Sequence, residues 1–194
     1  MCIRDRLSIN DNIDFNILDM IYIGSGSEEK TILALNHLMQ YSKQIKDAFD
    51  SGKFFLITGN AIEMFGKYII DLSDIKTKAL GILDYYAVHG KRTVGDVCLK
   101  TEFSDEKIIG FVNHQGALYI NEEKIDRHFI YENNFLATYV LGPLLARNPH
   151  LTKKIIKRLL LYKDSEYSIK PFDIDIEEKA YVEFINAKNY ASNI

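Results

Sequence analysis

Apolar and polar positions alternate in two distinct periods along the first part of the chain. Ile17 to Ile23 (ILDMIYI) is a nearly unbroken apolar run closed by GSGSEE, the pattern of a strand buried on both faces of a parallel sheet. From Glu28 to Phe49 the residues Ile32, Leu35, Leu38, Ile45, Ala48 and Phe49 follow a helical stripe, and Gly52 stands where such a helix stops. Phe54 to Ile57 then predicts a second strand and Ala61 to Ile70 a second helix. This order predicts a doubly wound α/β sheet whose ligands bind beyond the carboxyl ends of the strands, the edge on which GSGSEE and TGNA fall.

Beyond Ile70 the pattern changes. GILDYYAV, KRTVGDVCLKTEF, KIIGFVN and GALYI are short, rich in β-branched and aromatic residues and separated by turn residues, and they predict a run of short strands. FLATYV predicts one more strand, ending at Leu141-Gly142-Pro143. PHLTKKIIKRLLLYK sets Leu151, Ile155, Ile156, Leu159 and Leu160 at helical spacing beneath a basic face, read as solvated. Ser165 to Asp173, with Pro171, is a connector, and Ile176 to Ala187 a closing helix.

Composition narrows the function classes. With 194 residues, 47% of them hydrophobic, the chain is long enough for one domain, assigned to residues 14–194 after an N-terminal segment of residues 1–13. A formal charge of −3, spread along the chain, argues against a surface built to neutralise nucleic-acid phosphates. Cys2 and Cys98 have neither zinc nor redox spacing, which suits a reducing cytoplasm. No apolar run approaches the roughly 20 residues of a membrane helix. His37, His89, His128 and His150 show no paired metal-ligand spacing, so no metal and no cofactor is expected. Cys98 and His114 are the available thiol and base. Each lies in a strand region, Cys98 reading as a small buried hydrophobe and His114 as a hydrogen-bonded structural residue. GSGSEE lacks the G-x-G-x-x-G spacing and carries two glutamates that would repel an anion, so it reads as a plain turn and helix start.

Four segments in order, IYIGSGSEEK, FFLITGNAIEMFGKYI, IIGFVNHQGALYI and LATYVLGPLLARNPHL, resemble the class I glutamine amidotransferase domain of the cobyric-acid-synthase (CobB/CobQ) type. Within it they are most similar to the GatD-type glutaminase subunits of lipid II isoglutaminyl synthase. The last segment is close to a family sequence like GTYLHGPLLPKNPHL, through Thr138, Tyr139, Gly142 to Leu145 and Asn148 to Leu151. The third resembles GFENHSGRTYL through Gly110, Phe111, Asn113, His114, Gly116 and Tyr119. The likeness runs over about Asp14 to Leu160 and implies a flavodoxin-like fold: a largely parallel sheet flanked by helices, with an added run of short strands. The family usually opens with a further strand that MCIRDR does not resemble, so residues 1–13 read as a non-native or truncated segment, which would leave the sheet one strand short with a hydrophobic edge uncovered.

The resemblance also implies a chemistry. Family members attack the glutamine amide with a cysteine on a strand-to-helix elbow, move the proton with a histidine, stabilise the oxyanion with backbone N–H groups and pass ammonia to a partner. Against an elbow like LAVCGGYQLLG, anchored on Gly66, Glu63 takes the place of the glutamine and Gly59 that of the cysteine. Anchoring on the turn instead places Thr58 there, a weak nucleophile without an adjacent base. The family histidine falls on Leu141 and the substrate-binding arginine on Ala117, while Gly24 and Gly26 lie in the oxyanion-side loop, where GSGSEE replaces a GGGQD-like sequence. Losing nucleophile or base costs on the order of 10⁶-fold in kcat in a serine-protease comparison. The resemblance therefore implies a cytoplasmic pseudoenzyme subunit, forming a heterodimer with a Mur-ligase-like (MurT-type) protein that amidates the peptidoglycan precursor lipid II. Two alternatives stay open: a glutaminase subunit supplying ammonia to lipid II or a cobyrinic-acid-type substrate, and a small-ligand-binding regulatory domain.

Overall fold

The structure is a computed structural model that describes residues 6–125, 128–168 and 174–191. Cys2 and the rest of MCIRD, and the Pro171 part of the connector, lie outside the described residues. The fold is mixed α/β, and the chain packs as two compact units, Met1–Thr93 with His114–Tyr139 and Val94–Asn113 with Val140–Ile194.

In the first unit, β1 (Met20–Ile23), β2 (Phe54–Thr58), β8 (Phe129–Glu132) and β9 (Phe135–Thr138) form a four-stranded sheet in the order β1-β2-β9-β8. β2 pairs in parallel with β1 and β9, while β8 closes the sheet antiparallel to β9. The central position of β2 explains its sequence: with neighbours on both sides and cover on both faces, all of FFLIT is buried. Phe49, Phe55, Phe65 and Phe135 pack edge-on or tilted at centroid separations of 5.0–6.4 Å to form the core. β1 differs from expectation, since among the described residues it has a strand neighbour on one side only. Tyr22 is 62% exposed, and Ile17 falls in a short 3-10 turn, Phe15–Ile17, at 73% exposure.

The predicted helix over 28–49 is two helices, α1 (Glu28–Leu38) and α2 (Ser42–Asp50), joined by a 3-10 turn at Met39–Tyr41. Ser27 caps α1 by accepting from the Lys30 N–H at 3.3 Å, and Glu28 and Glu29 occupy the first turn, where the helix dipole favours acids. Gly52, at φ +79°, takes the left-handed conformation that stops α2. The helix expected over Ala61–Ile70 is absent. Gly59–Phe65 is a 3-10 segment, and Tyr68–Ile70 is β3, paired with β4 (Lys76–Lys78) and with the start of β5 (Tyr86–Thr101). Residues 80–83 return across the end of the 3-10 segment, with Leu80, Gly81, Ile82 and Leu83 N–H groups bonded to carbonyls of Met64, Phe65 and Gly66. A Cβ on Gly66 would lie 2.6 Å from the Tyr85 carbonyl oxygen, so the approach that stops the helix needs glycine there.

The expected series of short strands is instead two long ones, β5 and β6 (Ser104–Ile120), each passing from one unit into the other, with the two-residue β7 (Glu123–Lys124) paired to the end of β6. FLATYV splits as well: β9 ends at Thr138, and β10 (Val140–Leu141) pairs with β6 in the second unit. That second unit also holds α3 (Leu144–Arg147), α4 (Pro149–Lys163) and α5 (Asp175–Ala191). α4 buries Leu151 and Ile155 as expected, but its basic run is not simply solvated. Lys153 pairs with Glu178 at 2.5 Å, and Lys154 bonds the Phe103 carbonyl and lies over the Phe103 ring.

Asn148 holds this unit together. Fully buried, it accepts from the Ile109 N–H at 2.8 Å and donates to the Ile109 and Leu144 carbonyls at 2.8 and 2.7 Å. Asn148→Ala leaves these backbone groups unpaired in the interior and is expected to lower the unfolding free energy by about 2–3 kcal/mol in urea titration. A stability unchanged within error would contradict that assignment.

Candidate functional site

The chain turns sharply where β2 ends. Gly59 is buried and has φ +65°, whereas Thr58, at φ −126°, still belongs to the extended strand, with its hydroxyl 3.3 Å from the Tyr22 hydroxyl. The left-handed residue at the apex of the elbow is thus Gly59, where a side chain would be strained. The elbow leads into a seven-residue 3-10 segment, unusually long for this helix type, and every one of its residues is buried. In a 3-10 helix residues three apart eclipse one another, so Asn60 and Glu63 share one edge while Ala61, Ile62, Met64 and Phe65 fill the core.

Each of these two polar residues is held by specific partners. Asn60 Oδ1 accepts from the Gly26 N–H at 3.1 Å, and Asn60 Nδ2 donates to the Gly26 carbonyl at 2.9 Å. The side chain next to the elbow apex therefore clamps the loop after β1, and the Gly26 N–H is occupied. Gly24, half-buried in the same loop, sits against Tyr22, whose hydroxyl would lie 3.0 Å from an added Cβ.

Glu63 is 2% exposed. Its Oε2 accepts from His89 Nε2 at 2.7 Å, and its Oε1 accepts from the Tyr139 hydroxyl at 3.2 Å. A Cβ on Gly116 would lie 2.0 Å from Oε1, so β6 needs a glycine to pass over the carboxylate. His114 stacks on Tyr139 at 3.9 Å and donates from Nδ1 to the Gly116 carbonyl at 2.7 Å, while its Nε2 is buried without a partner. Tyr85 donates to the Ile62 carbonyl at 2.5 Å.

Electrostatics follow from this packing. The hydrogen bond to Glu63 raises the His89 pKa against an opposing desolvation. Burial, reinforced by the Glu63 charge, holds the Tyr85 and Tyr139 hydroxyls well above the ordinary tyrosine value. Burial lowers the His114 pKa, with the Gly116 carbonyl acting the other way. The cluster can fix a buried charge and orient two rings. It presents no thiol.

The remaining expected residues are divided between the two units. Ala117 is half-buried on β6 in the first unit, one residue from Gly116 and hence on the opposite face of the strand. Leu141 is half-buried in β10 of the second unit, opposite Phe111. Cys98 is also in the second unit and is exposed, contrary to the buried small hydrophobe expected. The reason is strand parity, which sends Val94, Asp96, Cys98 and Lys100 outward. Among the described residues no group of three or more His, Cys, Asp or Glu side chains could hold a metal ion. Pattern reading does not find the Glu63–His89–Tyr139 cluster. Its one signal is a lone carboxylate inside the apolar run Ala61 to Phe65, which requires a partner if the run is buried.

Residues 5–149 match the CobB/CobQ-like glutamine amidotransferase domain, starting before Asp14 and ending before Leu160. The chain belongs to this family. Among curated members, the lipid II isoglutaminyl synthase (glutamine-hydrolyzing) subunit GatD of Staphylococcus aureus is 26% identical over 198 residues, covering 95% of this chain and 81% of that protein. The same subunit of Streptococcus pneumoniae is 24% identical over 200 residues, covering 94% and 74%. A crystal structure of a glutamine amidotransferase aligns with a TM-score of 0.49 at 13% identity, over 75% of this chain and 78% of that one.

In this CobB/CobQ-like domain the Glu63–His89 pair makes stability depend on pH. Because the folded His89 pKa is raised, its contribution is complete below the unfolded value of about 6.5 and is lost as pH rises through the folded value. The lowered His114 pKa acts oppositely, its contribution being present above about 6.5 and lost as pH falls. His89→Ala removes the donor to Glu63 Oε2, leaving Tyr139 on Oε1, and is expected to destabilise the protein most at low pH by about 3 kcal/mol, with the gap to the unmodified protein narrowing as pH rises. Urea titration across pH checks this, and a gap that widens with pH would contradict it.

Proposed function

We propose that this chain is a GatD-like subunit that keeps the glutamine amidotransferase fold without hydrolysing glutamine, and that it acts by binding a Mur-ligase-like protein in lipid II amidation. The observation that carries the reading is the backbone of the elbow. The one left-handed residue at the end of β2 is Gly59, the position that the family resemblance gives to the nucleophile, and it has no side chain. Leu141, at the histidine position, can neither accept nor return a proton, and Ala117 cannot pair with a substrate carboxylate. The clamp of Asn60 on Gly26 supports the same reading, because it engages an N–H in the loop expected to face the oxyanion. The two GatD relatives, matched over nearly the whole chain, supply the lipid II context.

The experiment has two arms. Incubation of the purified chain with glutamine is expected to release no glutamate above a blank, and turnover comparable to that of a hydrolysing relative would reject the catalytic half. Co-expression with a Mur-ligase-like protein from the same genome is expected to give one peak on size exclusion. Two separate peaks would reject the binding half.

A further inference from the structure

Helix α5 meets the rest of its unit loosely. None of its described side chains is fully buried, and Glu177, Tyr181, Phe184 and Ile185, at helical spacing, are half-buried. The Tyr181 hydroxyl donates to the Lys107 carbonyl at 2.7 Å, the Tyr181 ring meets His150 edge-on at 4.9 Å, and Lys153 pairs with Glu178. Beside these contacts the helix leaves a groove of about 230 Å³, with apolar walls from Ile109 of β6, Ala146 of α3, and Ile176, Ala180 and Phe184 of α5. That volume lies below the roughly 300–1,000 Å³ of sites for drug-sized ligands, so it suits a small occupant.

Two charged side chains, Arg147 and Glu177, line the same groove. The Arg147 guanidinium lies 4.8 Å from the centre of the Phe184 ring, a cation–π contact that restrains it without using its N–H donors. Among the described residues Arg147 has no acidic partner and Glu177 no basic one, and the neighbouring Glu178 is already taken by Lys153. The one other polar group of the lining, the Tyr181 hydroxyl, is occupied by the Lys107 carbonyl. A guanidinium and a carboxylate that share an apolar groove without pairing match a ligand that carries both counter-charges.

We infer that this groove binds a small amino acid with an apolar side chain. The ligand carboxylate accepts from the Arg147 guanidinium, its ammonium donates to the Glu177 carboxylate, and its side chain covers the apolar wall, including the exposed Ile176. An acid without the amine would meet the Glu177 charge uncompensated, and an amine without the acid would meet that of Arg147, so the two residues together select the zwitterion. Because Arg147 belongs to α3 and Glu177 to α5, occupancy ties α5 to its unit. The groove lies wholly in the second unit, and binding there is independent of whether the Gly59 elbow hydrolyses glutamine.

Isothermal titration of the full chain with L-alanine, L-valine, L-leucine, L-methionine and L-phenylalanine is expected to show binding of at least one, with Kd between about micromolar and millimolar. That ligand should bind about tenfold more tightly than its analogues lacking the amine or the carboxylate, which for L-leucine are 4-methylpentanoate and 3-methylbutylamine. Arg147→Ala is expected to weaken binding about tenfold, and Glu177→Gln to abolish the preference for the amino acid over the plain acid. Bound ligand should also slow amide hydrogen exchange across α5. Failure of every amino acid in the panel to bind overturns the inference. So does binding that Arg147→Ala leaves unmoved, or a preference for the zwitterion that survives Glu177→Gln.

Discussion

A buried carboxylate governs the elbow of this protein. Glu63 lies in a segment with no exposed residue, and an ionised carboxylate there is tolerable only with donors in place. His89 and Tyr139 are those donors, and they come from β5 and from the end of β9. Two separate stretches of chain are thereby fixed to the turn at the end of β2. The glycine at 116 and the stacked His114 complete the enclosure from β6. Removing one donor would leave a buried carboxylate oxygen without its hydrogen bond, which is why this contact constrains the first unit.

The same enclosure holds the turn at the end of β2 in shape without any contribution from a side chain at its apex. A left-handed residue at a strand-to-helix turn is strained unless it is glycine, so Gly59 relieves a cost that a nucleophile would impose. Asn60 then ties the turn to the loop after β1, and Glu63 ties it to two other strands. The turn is thus over-determined by the hydrogen bonds of Asn60 and Glu63.

Much of the fold is legible in the sequence because burial sets periodicity. β2 reads as a strand since all of FFLIT is enclosed, and α4 reads as a helix since Leu151 and Ile155 share one face. The failures have physical causes. AIEMFGKYII has helical composition, but the close approach of Tyr85 to Gly66 turns it into a 3-10 segment and a strand, a tertiary effect that no local pattern carries. The glycines within GILD and KRTVGDV lie, in the structure, in a loop and inside a continuous strand. Cys98 reads as an interior residue because cysteine usually is one, yet strand parity sends it to solvent. Gly59, Leu141 and Ala117 are assigned from the family resemblance alone, whereas the Glu63 cluster joins residues 26 to 76 positions apart and leaves only one odd carboxylate as a trace.

The proposal that this chain does not hydrolyse glutamine requires that no side chain at the elbow be able to attack an amide-like carbonyl. The most direct measurement is intact-mass analysis after incubation with the glutamine analogue 6-diazo-5-oxo-L-norleucine, which alkylates whatever group attacks it. The protein is predicted to keep its unmodified mass, while a stoichiometric adduct mapped to the β2 turn or to residues around Leu141 would show that the elbow still carries a nucleophile.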